Sequence, residues 1–231
     1  MATFVLIHGA YQGGWIWQKV AGHLRAKGHT VYAPTLDGCA ERKHQVRKGI
    51  TTETHADEIA ELLFYEDIRD AVMVGTSTGG MVMCRVGELA RERIRRLVFP
   101  DSVALMDGEK LPDFVARPLA VVTELTAGLP QHDVETRLFK EFDPGLRAWT
   151  AARIAPHPRS PMDDPVTLPS FWSQSWTASV IYCRRSPNPP VALQRRTAER
   201  LGASWDELDT GHYPMLSMPG PLADLIAKEP P

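Results

Sequence analysis

Hydrophobic side chains in the first part of the chain fall into short unbroken runs separated by amphipathic stretches. Phe4 to Ile7 is wholly apolar, the pattern of a strand covered on both faces. Trp17, Val20, Ala21 and Leu24 recur at helical spacing, and Gly28 ends that helix. Thr30 to Ala33 predicts a second strand, stopped by Pro34. Ala56, Ile59, Ala60 and Leu63 mark a second helix, with Thr52 or Thr54 as its N-cap. Ala71 to Val74 predicts a third strand and Arg96 to Phe99 a fourth. Between them runs a third helix, Thr78 to Arg91, with Val82, Val86, Leu89 and Ala90 on one face.

The alternation then stops. From Val103 to Thr177 there is no clear apolar strand run, only helix-like pieces and prolines at 156, 158, 161, 165 and 169. It resumes with a strand at Ser179 to Cys183, a helix at Val191 to Leu201, a strand at Ser204 to Leu208 and a helix at Pro221 to Lys228. Strands alternating with helices in this way predict an α/β fold, a mostly parallel sheet of about six strands with helices on both faces. An excursion of about 70 residues inside such a fold reads as a cap over the site. The expected organisation is a core of residues 1–102 and 178–231 with a cap or lid insertion at 103–177.

Composition narrows the function. The 231 residues are 43% hydrophobic and 23% charged, and 26 basic against 28 acidic side chains leave a net charge of −2. That balance excludes collagen-like, disordered and membrane-spanning chains, and it argues against nucleic acid as a partner. Two basic runs, Arg42-Lys43-His44 with Arg47-Lys48 and Arg91 to Arg96, are interrupted or flanked by acidic residues and read as a solvated loop and helix end. Cys39, Cys84 and Cys183 have no metal-like spacing, and Cys84 and Cys183 read as small core residues. The opening Met1 to Gly9 has no basic leader and only a four-residue apolar run, which gives a cytoplasmic expectation.

Three motifs carry chemistry. Gly75-Thr76-Ser77-Thr78-Gly79-Gly80 is a G-x-S-x-G pattern between an apolar strand and an amphipathic helix, the setting of a nucleophile elbow. Glycines suit a turn too tight for side chains beside a strained serine. His8-Gly9-Ala10 follows the first strand, so the N–H groups of Ala10 and Thr78 are candidates for an oxyanion hole. His8 itself reads as structural, holding this loop. Gly211-His212-Tyr213-Pro214 follows the last strand, and His212 alone among the eight histidines occupies a place from which to activate Ser77. The remaining histidines, His23, His29, His44, His55, His132 and His157, read as surface or cap residues. Tyr11, Trp172, Trp176 and Tyr213 are candidates for the lining of a substrate pocket, with Leu105 and Met106 at its edge.

With these motifs in this order the chain resembles the α/β-hydrolase superfamily. More narrowly it is similar to small bacterial esterases and to the plant methylesterase and hydroxynitrile-lyase group. The narrower resemblance rests on Phe4 to Ala10 followed by Gly13-Gly14-Trp15-Ile16-Trp17, on Ala26 to Val31, on Pro34 to Arg42 and on Gly211 to Met215. It covers residues 1–100 and 178–228 and leaves the cap poorly matched. It implies the α/β-hydrolase fold and ester hydrolysis by a serine nucleophile, with no cofactor. Hydroxynitrile lyases of this group carry threonine where this chain has Gly9 and lysine where it has Tyr213, so both positions follow the esterase pattern.

The triad acid departs from the pattern. The family usually supplies it after the strand that here ends at Cys183, but the sequence reads Cys183-Arg184-Arg185-Ser186-Pro187-Asn188, with no carboxylate between Tyr182 and Ala198. Neutral Ser186 or Asn188 cannot stabilise an imidazolium as an anion does. Asp101, leaving the fourth strand, is the leading candidate, because some relatives place the acid there and a carboxylate in such a place needs a partner. Asp209, a cap carboxylate such as Asp163 or Asp164, and a reduced Ser-His pair remain open. The expected substrate is a small ester, carbamate, amide or lactone of apolar or aromatic character. A lyase or cyclase, or a non-catalytic small-molecule receptor, is the alternative. The sequence leaves monomer and homodimer equally open.

Overall fold

A computed structural model describes residues 1–116 and 123–229. Residues 117–122 of the expected insertion lie outside the described residues. Six strands form one sheet: β1 (Thr3–Ile7), β2 (Thr30–Tyr32), β3 (Ala71–Gly75), β4 (Ile94–Pro100), β5 (Ala178–Cys183) and β6 (Ser204–Leu208). Their spatial order is β2-β1-β3-β4-β5-β6 and every pairing is parallel. The sequence changes direction across the sheet at β1 and β3, the switch point where open α/β sheets place their sites.

Period-two alternation along the strands divides the interior into two cores. Val5, Ile7, Met73, Leu97, Phe99 and Val180 face α2 (Thr52–Tyr65), α3 (Gly79–Leu89) and the later helix Val191–Leu201. Phe4, Leu6, Val72, Val74, Val98 and Ile181 face α1 (Gln18–Ala26) and the C-terminal helix Pro219–Ala227. Strands apolar on both sides are therefore what this architecture requires.

The predicted elements appear in the predicted order, with local corrections. Helix α2 is capped by Thr51 rather than Thr52 or Thr54: its hydroxyl accepts from the Thr54 amide, and Thr54 reciprocates at the Thr51 amide. The second basic run is not wholly solvated. Arg96 is buried in β4, and its guanidinium donates to the Ile226 and Lys228 carbonyls at the end of the C-terminal helix. Those are orphan acceptors at the negative end of a helix, so a buried cation there is satisfied. In the first run Arg42 and Arg47, partly exposed, pair with the buried Asp37, Arg47 at 2.6 Å. His55 is fully buried rather than at the surface, its Nε2 bonded to the Asp37 carbonyl at 2.9 Å.

Between β4 and β5 the chain forms short pieces. One is a helix at Pro144–Ala151, here α4, so the helices Val191–Leu201 and Pro219–Ala227 are α5 and α6. Two-residue strands at Thr126–Ala127 and His157–Pro158 pair antiparallel. No helix among the described residues is long and apolar enough to cross a membrane.

Candidate active site

Ser77 stands between β3 and α3 with φ of +50°, a left-handed conformation that is costly for a residue with a side chain. The neighbouring strand ends hold it there. The Thr76 amide donates to the Ile7 carbonyl at 3.2 Å, the Ser77 amide to the Asp101 carbonyl at 3.1 Å, and the Val103 amide to the Ser77 carbonyl at 2.9 Å. A Cβ at Gly75 would lie 2.6 Å from the Gly79 carbonyl oxygen, and one at Gly79 would lie 2.6 Å from the Ile7 and His8 carbonyls. The glycines of the motif are thus required by close backbone approach.

His212 follows β6, and its Nδ1 lies 2.6 Å from Oδ2 of Asp101. Asp101 is fully buried at the end of β4, also left-handed at φ +43°, with its amide donating to the Ile181 carbonyl of β5 at 2.9 Å. Its other oxygen, Oδ1, accepts from Nε2 of Gln194 on α5 at 2.9 Å. A buried carboxylate with a donor on each oxygen is compensated for desolvation. With the Nδ1 proton directed at Asp101, Nε2 of His212 is left as the basic nitrogen.

The other acid candidates lie elsewhere. The exposed Asp209 carboxylate faces Arg184 and Arg185 at 3.6 Å. Asp163 pairs with Arg159 at 3.1 Å, and Asp164 lines a separate cleft beside Glu53 and Arg85. Ser186 donates to the Asn188 carbonyl at 2.6 Å.

His8 has the predicted structural environment. Its buried ring bonds the Gly9 carbonyl through Nδ1 at 2.8 Å and accepts the Leu36 amide on Nε2 at 3.0 Å. Burial pushes its pKa down to about 4, so it stays neutral. Gln12 steadies the same loop by accepting from the Gly9 amide at 3.3 Å.

Ser77, Thr78, Ala10, Tyr11, His212 and Tyr213 line one cavity of about 780 Å³. Its walls include Val103, Leu111, Val115, Leu129 and Leu138, and Arg137, Lys140, Glu141 and Arg185 bring charge to it. Tyr11 is left-handed at φ +66°, and its carbonyl accepts from the Ala155 amide at 3.1 Å. Tyr213 is buried against Phe139, 4.9 Å between ring centres, and burial raises its phenol pKa.

Two of the aromatic candidates for the lining, Trp172 and Trp176, are corrected. Trp172 does not line the cavity: its indole donates to the Leu105 carbonyl at 3.0 Å and its ring meets Phe171 edge-on. Trp176 stacks on Phe171 at 5.1 Å and carries the Arg91 guanidinium on its face. Leu105 is core, and neither it nor Met106 lines the cavity. Both rings serve packing.

Sequence reasoning missed Gln194 and Glu141. Gln194 had a signal, an amide on the buried face of an amphipathic helix beside Leu193 and Thr197. Glu141, whose carboxylate contacts the Gly211 amide, had none. Among the described residues no group of three or more His, Cys, Asp or Glu side chains could hold a metal ion.

The chain is similar to several known proteins. A carbendazim hydrolyzing esterase of Nocardioides sp. (strain SG-4G) is 28% identical over 241 residues, covering 98% of this chain and 99% of that one. Methylesterase 1 of Arabidopsis thaliana is 30% identical over 143 residues, 61% of this chain and 51% of its own. An extracellular alpha/beta-hydrolase from a Paenibacillus species, described as sharing structural and functional homology with tobacco salicylic acid binding protein 2, superposes with a TM-score of 0.86 at 25% identity over 99% of both chains. The sequence profile of the alpha/beta hydrolase family matches residues 4–225, and the chain belongs to that family.

Proposed function

We propose that this protein hydrolyses a carboxylic ester, or a related carbamate, amide or lactone, of a small apolar or aromatic molecule through an acyl-enzyme on Ser77. The observation that carries the reading is the 2.6 Å pairing of His212 with buried Asp101, in a cavity that His212 shares with Ser77. Esterases among the relatives support the same reaction class.

His212 Nε2 takes the Ser77 hydroxyl proton as Oγ attacks the acyl carbon. Negative charge moves to the carbonyl oxygen, where the amides of Ala10 and Thr78 donate to it, the second from the N-cap position of α3. Asp101 stabilises the imidazolium without taking its proton. The imidazolium protonates the departing alkoxide, and His212 then deprotonates a water that attacks the acyl-enzyme, releasing the acid and restoring Ser77.

The apolar walls select the substrate class. A cavity of about 780 Å³ lined by valine, leucine and tyrosine near the serine favours a ring or short alkyl group over a sugar or peptide. With Asp101 supplying the anion, the missing carboxylate after Cys183 no longer favours a receptor.

Hydrolysis of p-nitrophenyl acetate by the purified protein and by Ser77→Ala tests the reading. A loss of about 1,000-fold or more in the variant is expected. Equal, feeble rates in both proteins would overturn it in favour of a lyase or a receptor.

A further inference from the structure

The loop that presents His212 is held from outside the core. Both oxygens of Glu141 accept from the Gly211 amide, at 3.1 and 3.2 Å. A methyl group at Gly211 would collide with that carboxylate, and its three nearest neighbours would all be Glu141 atoms. Glycine directly before His212 is therefore the residue that lets Glu141 approach.

Glu141 is itself fixed in place. Arg147 of α4 donates to the carbonyls of Phe139, Lys140 and Phe142, at 3.1, 2.9 and 3.2 Å, so one guanidinium pins the turn on either side of Glu141. Phe139 and Phe142 pack on Tyr213, with ring centres 4.9 and 6.5 Å away. The turn at 139–142 thus grips both neighbours of the histidine, Gly211 by a carboxylate and Tyr213 by two rings.

Arg185 completes the brace. Its guanidinium lies 3.8 Å from Glu141 and donates to the Asp209 carbonyl at 2.5 Å, while its backbone amide donates to the Thr210 carbonyl at 3.0 Å. Asp209, Thr210 and Gly211, the three residues before His212, are each held by a backbone bond to Arg185 or Glu141. The loop after β5, which lacks an acid, contributes a cation to this support.

We propose that Glu141 is a positioning residue: by holding the Gly211 amide it sets where the His212 imidazole stands relative to Ser77. The inference rests on the serine-hydrolase reading above. A charge-assisted bond to a backbone amide is about twice as strong as a neutral one. Misplacing a catalytic group by about 1 Å costs up to about 100-fold in rate.

The test uses Glu141→Ala, Glu141→Gln, Gly211→Ala and the double variant Glu141→Ala/Gly211→Ala in the full chain. Gly211→Ala keeps the carboxylate but displaces it, so it separates the contact from the side chain. Each alanine variant is expected to lower kcat on p-nitrophenyl acetate about 10- to 100-fold with KM within about twofold. The double variant is expected to match the worse single one, because both remove one interaction. Glu141→Gln, which keeps an acceptor, should restore part of the loss.

The Gly211 amide resonance in a ¹⁵N-labelled sample reads the contact independently of turnover and should move in Glu141→Ala and Glu141→Gln, the two variants that keep the glycine. A rise in KM at unchanged kcat would reduce Glu141 to a cavity wall and overturn the proposal. So would multiplicative losses in the double variant, or a Gly211 resonance that stays put in Glu141→Ala. Failure of the parent reading has a different signature: turnover by the unaltered protein would already equal that of Ser77→Ala.

Discussion

Replacing Gln194 by leucine tests how the buried acid is sustained. The side chain is 1% exposed and has two bonds from Nε2, one to Asp101 at 2.9 Å and a longer one to the Pro189 carbonyl at 3.2 Å. Leucine has nearly the same volume, so the change removes donors without opening a cavity. Loss of a bond to a charged group costs about 1.5–3 kcal/mol and loss of the neutral one about 1 kcal/mol. Against this, Oε1 of Gln194 is buried without a partner among the described residues, and removing it returns about 1–2 kcal/mol. The expected net loss is about 2 kcal/mol, read as a lower midpoint in urea at unchanged slope or a Tm about 4–8 °C lower. The decisive control is the same substitution in an Asp101→Asn background. There the acceptor is neutral, and the cost should fall by about 1 kcal/mol or more. A loss below about 0.5 kcal/mol, or one identical in both backgrounds, would refute the claim that Gln194 compensates a buried charge.

Other expectations follow from the same geometry. Asp101→Asn should lower kcat about 10,000-fold while leaving KM nearly unchanged, measured with the p-nitrophenyl ester; a loss under tenfold would assign the acid elsewhere. His8 gives the fold an acid-sensitive component: unfolded it protonates near 6.5, folded only near 4, so stability is lost as pH falls from 6.5 to 4 and levels off below. Its contribution is about 3 kcal/mol, and buried His55, also shifted down by burial, adds to the slope of urea midpoints against pH. Absence of any fall in midpoint across that window would contradict the buried neutral imidazoles. All three cysteines are buried and free, and burial raises their thiol pKa values, so a thiol reagent at pH 8 should label none until denaturant is added.

Legibility in the sequence tracked how local the cause was. Unbroken apolar runs such as Ala71 to Val74 mark strands buried on both faces, and the parallel sheet follows from their alternation with helices. The serine elbow and the His8 loop are readable because their glycines and polar residues act within a few positions. Asp101 could be ranked first but its competitors not dismissed, since they differ only in where the sheet carries them. Arg96 appeared to belong to a solvated basic run because the carbonyls it satisfies lie at Ile226 and Lys228. Trp172 and Trp176 misled because bulk alone does not say which surface a ring covers. Glu141 was invisible: its partner Gly211 is 70 positions away, and nothing near either residue announces the contact.

The bonds around the elbow also bear on how the protein comes to be active. Thr76 is tied to Ile7, Ser77 to Asp101 and Asp101 to Ile181, so the Ser77 backbone is stitched through β1, β4 and β5. On the proposed mechanism, a fragment lacking β5 or the His212 loop would hold no working arrangement, since the partners are far apart along the chain. Contacts of such high sequence separation form late. During refolding, helical signal should therefore return before turnover, and turnover should reappear only with the step that closes the sheet. Catalysis in this protein doubles as a reporter of complete assembly.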